Sequence, residues 1–209
     1  FNKILGNNFF KKKIDFSLNS SLEAQLASIS DDIAYNSHDL EDGLKSNLFL
    51  LKDLKNIPVL DKIIVKHIKK INKYSLDLVI RQIIREIINE MVTDVILTTR
   101  KNIKTNKIKN LNDIYFSKTK LVAFSEKMKI FDIKIKKFLR QKMYFHKKVN
   151  SKTNYGRKVI NELFKSIKQN PKKYIDIKKY KNSNLERIIC DYIAGMTDRY
   201  AINLYNKIK

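Results

Sequence analysis

Acidic side chains, an aromatic ring and an imidazole gather in one stretch of the chain, Ser20 to Gly43, SSLEAQLASISDDIAYNSHDLEDG. They offer the oxygen and nitrogen donors that bind divalent cations, and any chemistry encoded in this chain starts with them. At roughly 100° per residue, Asp31, Tyr35, His38, Asp39 and Asp42 share one side of a helix, with Ala24, Ala27 and Ser28 one or two turns earlier. Side chains that small let a neighbour or a ligand approach the backbone closely. The chain carries 44 Lys and Arg against 21 Asp and Glu, so six carboxylates between Glu23 and Asp42, followed only by Lys45, reverse the local sign of charge. An acidic helix face is ordinarily a solvated surface. The reversal and the alanines lead us to expect instead a helix covered on both sides, with a polar pocket between.

The other side of the same helix carries Leu22, Leu26, Ile29, Ile33, Leu40 and Leu44, the stripe by which an amphipathic helix packs on a core. Ser20 with Glu23 reads as a capping box and Gly43 as the left-handed stop, giving a helix over 20–44. Four Gly and two Pro leave few turns, and 43% hydrophobic content in 209 residues suffices for a core, so the expected fold is all-α, a multi-helix bundle. It is read as a single helical domain over 1–209, with 1–19 an irregular opening segment. Ile63, Ile64 and Ile68 predict a helix over Val59 to Asn72, which Pro58 can open. The longest periodic run, Ser75 to about Lys104, is scaffold. Ser125 caps a helix reaching about Tyr144, another spans Thr153 to Gln169, and Ser183 opens a last, single helix. Within it, Gly195 is expected to allow close packing on a neighbour.

The remaining chemical groups read as structural. His67, flanked by Lys66 and Lys69 and lacking a ligand partner one turn on, is expected at the surface. His146, beside Lys147 and Lys148, reads as a helix-end residue complementing the dipole, and it is left outside the site. Arg81 and Arg85 pair with Glu86 and Glu90 along a helix flank, and Arg157 is a further candidate nucleotide contact. Cys190 cannot form an internal disulfide and reads as a small buried apolar residue. No run approaches the roughly 18 apolar residues of a membrane span, so a soluble cytoplasmic protein without a membrane partner is expected. The net charge of +23 is scattered and not gathered in a patch, which points to composition, with non-specific, salt-sensitive nucleic-acid contact as its consequence.

The stretch Leu22 to Leu44, LEAQLASISDDIAYNSHDLEDGL, resembles the signature of the bacterial deoxyguanosine triphosphate triphosphohydrolases (dGTPases) of the HD-domain phosphohydrolase superfamily. DYIAGMTDRYAINLY, Asp191 to Tyr205, is similar to that family's closing helix, and FLRQKMYFHKKV (Phe138 to Val149) and VINELF (Val159 to Phe164) follow in the family's order. The resemblance implies an α-helical enzyme that hydrolyses a deoxynucleoside triphosphate to deoxynucleoside and inorganic triphosphate. It implies a divalent metal ion (Mg, Mn, Fe, Co or Ni) and a homo-oligomer. The family holds its metal by a histidine, a His-Asp doublet and a distant aspartate. Asp31 matches the distant aspartate; His38-Asp39 looks like the doublet but stands in an unrelated position, and the other three ligands do not precede Asp31 here. The expectation is therefore the C-terminal part of a longer enzyme, inactive alone, with no catalytic residue of its own; those residues are expected upstream of Phe1. Asp31, Tyr35 and Asp39 climb one helix side in steps of about 6 Å, and the resemblance assigns Asp31 to the metal, Tyr35 to the phosphate and sugar, and Asp39 to the sugar's 3′-hydroxyl. Two other classes compete: a basic helical nucleic-acid-binding module, and a helical scaffold without chemistry, whose acidic face would be fully solvated.

Overall fold

The computed structural model describes residues 17–176 and 184–208. The expected opening segment, Phe1 to Asn19, lies almost wholly outside the described residues, and so does Ser183. Among the described residues the fold is all-α, with eight α-helices and no strand: α1 (Leu22–Lys45), α2 (Leu60–Ile68), α3 (Leu76–Thr105), α4 (Leu111–Tyr115), α5 (Glu126–Leu139), α6 (Lys147–Gln169), α7 (Leu185–Ala194) and α8 (Asp198–Ile208). No helix among them is long and apolar enough to cross a membrane. They fall in two compact units, one ending at Met143 and one beginning at Tyr144. The sequence marks no boundary there because the chain leaves α5 through a π-helical turn, Arg140–Tyr144, that uses neither glycine nor proline.

In the first unit α3 is the scaffold expected of it. Ser75 caps it, accepting from the Leu78 amide, and its buried face runs Ile80, Ile83, Ile84, Ile87, Met91 and Val95. Both α1 and α2 pack on it, and α5 packs on α1. Leu40, Leu44, Leu54, Leu60, Phe131, Ile135 and Leu139 complete this core. The second unit has its own smaller core, with Val159, Leu163 and Ile167 of α6 against Ile188, Ile189 and Tyr205 of α7 and α8.

Several helix ends depart from their expected positions, through partners within a few residues. The N-cap of α1 is Ser21, whose hydroxyl accepts from the Ala24 amide at 3.3 Å, while the Ser20 carbonyl is taken by the Gln25 side chain. The helix runs past Gly43 and stops at Asn47, which takes the left-handed conformation (φ 52°). There the Leu48 and Asn47 amides bond back to the Gly43 and Leu44 carbonyls, closing a Schellman motif. Gly43 serves packing instead: a Cβ on it would overlap the ring of Phe49, a buried side chain set edge-on to Phe138 at 4.9 Å. Pro58 stays outside α2, whose N-cap is Val59 at φ 73°, a strained conformation for a β-branched residue.

In the second unit α6 starts earlier than its apolar pattern, because His146 caps it: Nδ1 accepts from the Lys148 amide at 3.3 Å. His146 thus sits at a helix N-terminus, not beside a C-terminal dipole. The single last helix is in fact two, broken at Gly195 to Thr197, where the Thr197 hydroxyl accepts from the Tyr200 amide and restarts the chain as α8. A Cβ on Gly195 would meet only carbonyls of its own helix at 3.5 and 3.6 Å, so close packing does not require this glycine. Cys190 is exposed, contrary to its expected burial.

Gly43→Ala sets two effects against each other. The helix gains about 1 kcal/mol of propensity, while overpacking a filled site costs about 1–3 kcal/mol. The ring of Phe49 is buried against Phe138, so a net loss of about 1 kcal/mol is expected in urea unfolding, partly recovered when Phe49→Leu is added.

Candidate functional site

The rotation of α1 decides what its acidic side presents. Its seam buries Ile33, Leu40 and Leu44, with Leu22 and Ile29 half-buried, while Leu26, expected in the same stripe, is 49% exposed. Along one edge of that seam lie two buried amides that the apolar pattern does not anticipate, Gln25 and Asn36. Gln25 Oε1 accepts from the Leu121 and Val122 amides at 2.9 and 3.2 Å. The segment it holds is tied to α3 as well: Asn102 donates to the Leu121 carbonyl at 3.0 Å, and the Asp94 carboxylate accepts from the Ser125 amide and hydroxyl at 2.8 and 2.6 Å. Ser125 in turn caps α5 by accepting from Met128.

With α5 so anchored, Asp132 faces α1. Asn36 Nδ2 donates to Asp132 Oδ1 at 2.7 Å between residues only 6% and 9% exposed. Lys136, one turn along α5, bridges the second Asp132 oxygen at 2.9 Å and Asp32 at 3.3 Å. Burial pulls the Lys136 ammonium downward, but its hydrogen bond and charge interaction with Asp132, joined by Asp32, more than offset this and raise it above the ordinary lysine value.

On a 100° wheel the line Asp39, Tyr35, Asp31 stands about 60°, 100° and 140° from Asn36. Asp31 is exposed, Asp39 half-buried and Tyr35 64% exposed. The three share one side of the helix as expected, and His38 and Asp42 are exposed beside them. The polar pocket expected over this side is not formed by the described residues: Ala24, Ala27 and Ser28 are exposed too, because α3 and α5 cover only the seam. The face is not wholly solvated either, since Asp32 is engaged by Lys136. Among the described residues no three His, Cys, Asp or Glu side chains gather where a metal ion could be held. Asp31 therefore brings one carboxylate, and the described residues do not complete a metal site. Phe1, upstream of which the catalytic residues are expected, itself lies outside the described residues.

His67, expected at the surface, is 6% exposed. Its Nε2 pairs with Glu86 of α3, and Lys66 takes the other Glu86 oxygen at 2.7 Å, so Glu86 is claimed by α2 and not by the arginines of its own helix. Lys66 first and His67 second hold the Glu86 carboxyl below the ordinary carboxylate value. The pair lies beside a groove of about 630 Å³ lined by His67, Gln82, Arg85, Glu86, Asn89 and Val92. Arg157 is exposed on α6.

Comparison with known proteins adds what geometry alone does not. A family described as a phosphohydrolase-associated domain matches residues 122–207, from the segment held by Gln25 through α8. A deoxyguanosinetriphosphate triphosphohydrolase-like protein of Pelagibacter ubique is 46% identical over 97% of this chain and 54% of its own length. The chain belongs to the deoxyguanosinetriphosphate triphosphohydrolase-like family. Further proteins of that description, from Rickettsia typhi (36% identical over 95% of this chain and 54% of theirs) and Bartonella tribocorum (32%, 95% and 52%), match in the same way. The chain spans about half the length of these curated relatives. Within this dGTPase-like chain the sequence pattern marks the acidic line but passes over Asn36, Asp132, Lys136 and the His67 to Glu86 pair. The available signal was an amide at a seam position; its partner stands 96 residues away.

The depressed Glu86 carboxyl gives a signed prediction. A carboxylate whose folded pKa lies below its unfolded one contributes stability above the ordinary carboxylate range, lost as pH falls through the folded value. Glu86→Gln should lower stability at pH 7 by about 1 kcal/mol, and the gap between variant and parent should close in melts taken progressively below pH 4.5.

Proposed function

We propose that this chain is the nucleotide-facing part of a phosphohydrolase that cleaves a deoxynucleoside triphosphate, dGTP or another, into deoxynucleoside and inorganic triphosphate. The observation that carries this reading is the line Asp31, Tyr35, Asp39 along one side of a helix fixed to the core, in a chain of the dGTPase-like family. Asp31 gives one oxygen ligand to a divalent cation (Mg, Mn, Fe, Co or Ni) whose other ligands lie outside the described residues. That cation would supply charge stabilisation at the scissile phosphate. Tyr35, with most of its ring open, packs against the sugar and excludes a 2′-hydroxyl by sterics. Asp39, half-buried, accepts a hydrogen bond from the 3′-hydroxyl. The rise of about 6 Å per step suits phosphate, sugar and hydroxyl taken in that order. The reading includes a homo-oligomeric, cytoplasmic enzyme, and it treats nucleic-acid contact through the +23 charge as non-specific and lost with salt.

Kinetics of three variants in a full-length enzyme reconstructed around this chain test the reading. Asp31→Ala should abolish turnover and metal binding together. Asp39→Ala should act mainly through KM and lower kcat/KM by about five- to a hundredfold, the worth of one hydrogen bond to a half-buried carboxylate. Tyr35→Ala should relax the preference for dGTP over GTP. Metal and rate retained in Asp31→Ala, with both lost in either other variant, would put the helix in the wrong register. The 209-residue chain by itself is expected to release no triphosphate from dGTP, since one carboxylate cannot hold a catalytic cation.

A further inference from the structure

Apolar burial stabilises α1 without fixing its rotation, because the hydrophobic effect has no direction. The directional contacts to α5 are few and polar: Asn36 to Asp132 at 2.7 Å, Asp132 to Lys136 at 2.9 Å and Lys136 to Asp32 at 3.3 Å. Stability is a poor reason for them, since a buried polar cluster is often matched or surpassed by apolar residues of similar volume. Orientation is a better one, and Asp32 is the chain neighbour of Asp31. We propose that Asn36, Asp132 and Lys136 are positioning residues for the Asp31, Tyr35, Asp39 line, holding α1 at one rotation about its axis. This rests on the reading of that line as the nucleotide site.

The geometry sets the scale. On a 100° wheel Asp32 stands about 40° from Asn36 and about 20° from Asp39, so Lys136 grips the helix between the seam and the proposed site. A slip of about 20° at the surface radius of a helix, about 5–6 Å, carries a side-chain tip about 2 Å. Misplacement of about 1 Å at a reacting centre costs on the order of a hundredfold in rate. Gln25, three turns earlier on nearly the same bearing, holds the same edge of the seam against Leu121 and Val122, so a rotation must break both ends together.

The test uses the reconstructed full-length enzyme and compares four variants: the apolar pair Asn36→Leu with Asp132→Leu, the swap Asn36→Asp with Asp132→Asn, Lys136→Gln, and Asp31→Ala as the control for the site itself. The proposal expects the apolar pair to melt at or above the parent's temperature while kcat/KM falls at least about tenfold. The swap, which restores one hydrogen bond with its polarity reversed, should return kcat/KM to within about threefold of the parent. Lys136→Gln, at a half-open position, should lose activity in the same direction and keeps the test decisive if the apolar pair does not fold. An inactive Asp31→Ala together with parental kcat and KM in Lys136→Gln and in whichever seam variants fold would overturn the positioning role and leave the site reading standing. An active Asp31→Ala would remove the site reading, and with it this proposal.

Discussion

One carboxylate on α3 begins a chain of constraint that ends at the acidic side of α1. Asp94 takes the amide and the hydroxyl of Ser125, which fixes where α5 starts. From there α5 places Asp132 against Asn36 and Lys136 against Asp32. Each such hydrogen bond is worth only about 1 kcal/mol net, but leaving a buried partner unmet costs about 1–3 kcal/mol. The stability of the first unit comes from Leu40, Leu54, Leu60, Ile83, Met91 and Phe131, all essentially without exposed surface. The polar links select one arrangement among those the apolar core would tolerate. In that arrangement Asp31, Tyr35 and Asp39 share one side of α1, with their spacing set by the backbone and their bearing by residues nearly a hundred positions away.

What the sequence made legible was local. The seam of α1 apart from Leu26, the long helix from Ser75 and the cap at Ser125 stand as their patterns imply, because each depends on neighbours within one or two turns. Gly43 and His67 misled for a common reason. A glycine near a helix end matches a left-handed stop, yet Phe49 folds back onto it; a histidine among lysines looks solvated, yet Glu86 reaches it from another helix. The cover expected over the alanines of α1 is likewise a matter of tertiary contact, and the described residues place none there. For the candidate site, the acidic line was visible from helical spacing, whereas the clamp at Asn36 was not, since nothing local connects it with Asp132.

The second unit adds a basic helical part with its own core of Val159, Leu163, Ile167 and Ile189. The match to the phosphohydrolase-associated domain, 122–207, takes residues from both units and begins at Val122, one of the two residues Gln25 holds. The hydrogen bond from the Val122 amide to Gln25 ties that segment to α1. It also explains why α1 tolerates polar residues in its seam: the amides there satisfy backbone and side-chain groups of the family segment that would otherwise be buried without partners.

The most direct test is a structure of the full-length enzyme with a non-hydrolysable deoxynucleoside triphosphate. The account predicts the nucleotide lying along α1, its phosphates nearest Asp31 and its sugar between Tyr35 and Asp39, with Asn36 still bonded to Asp132. A nucleotide seated in the groove of His67, Arg85 and Asn89, with the acidic side of α1 left empty, would contradict it.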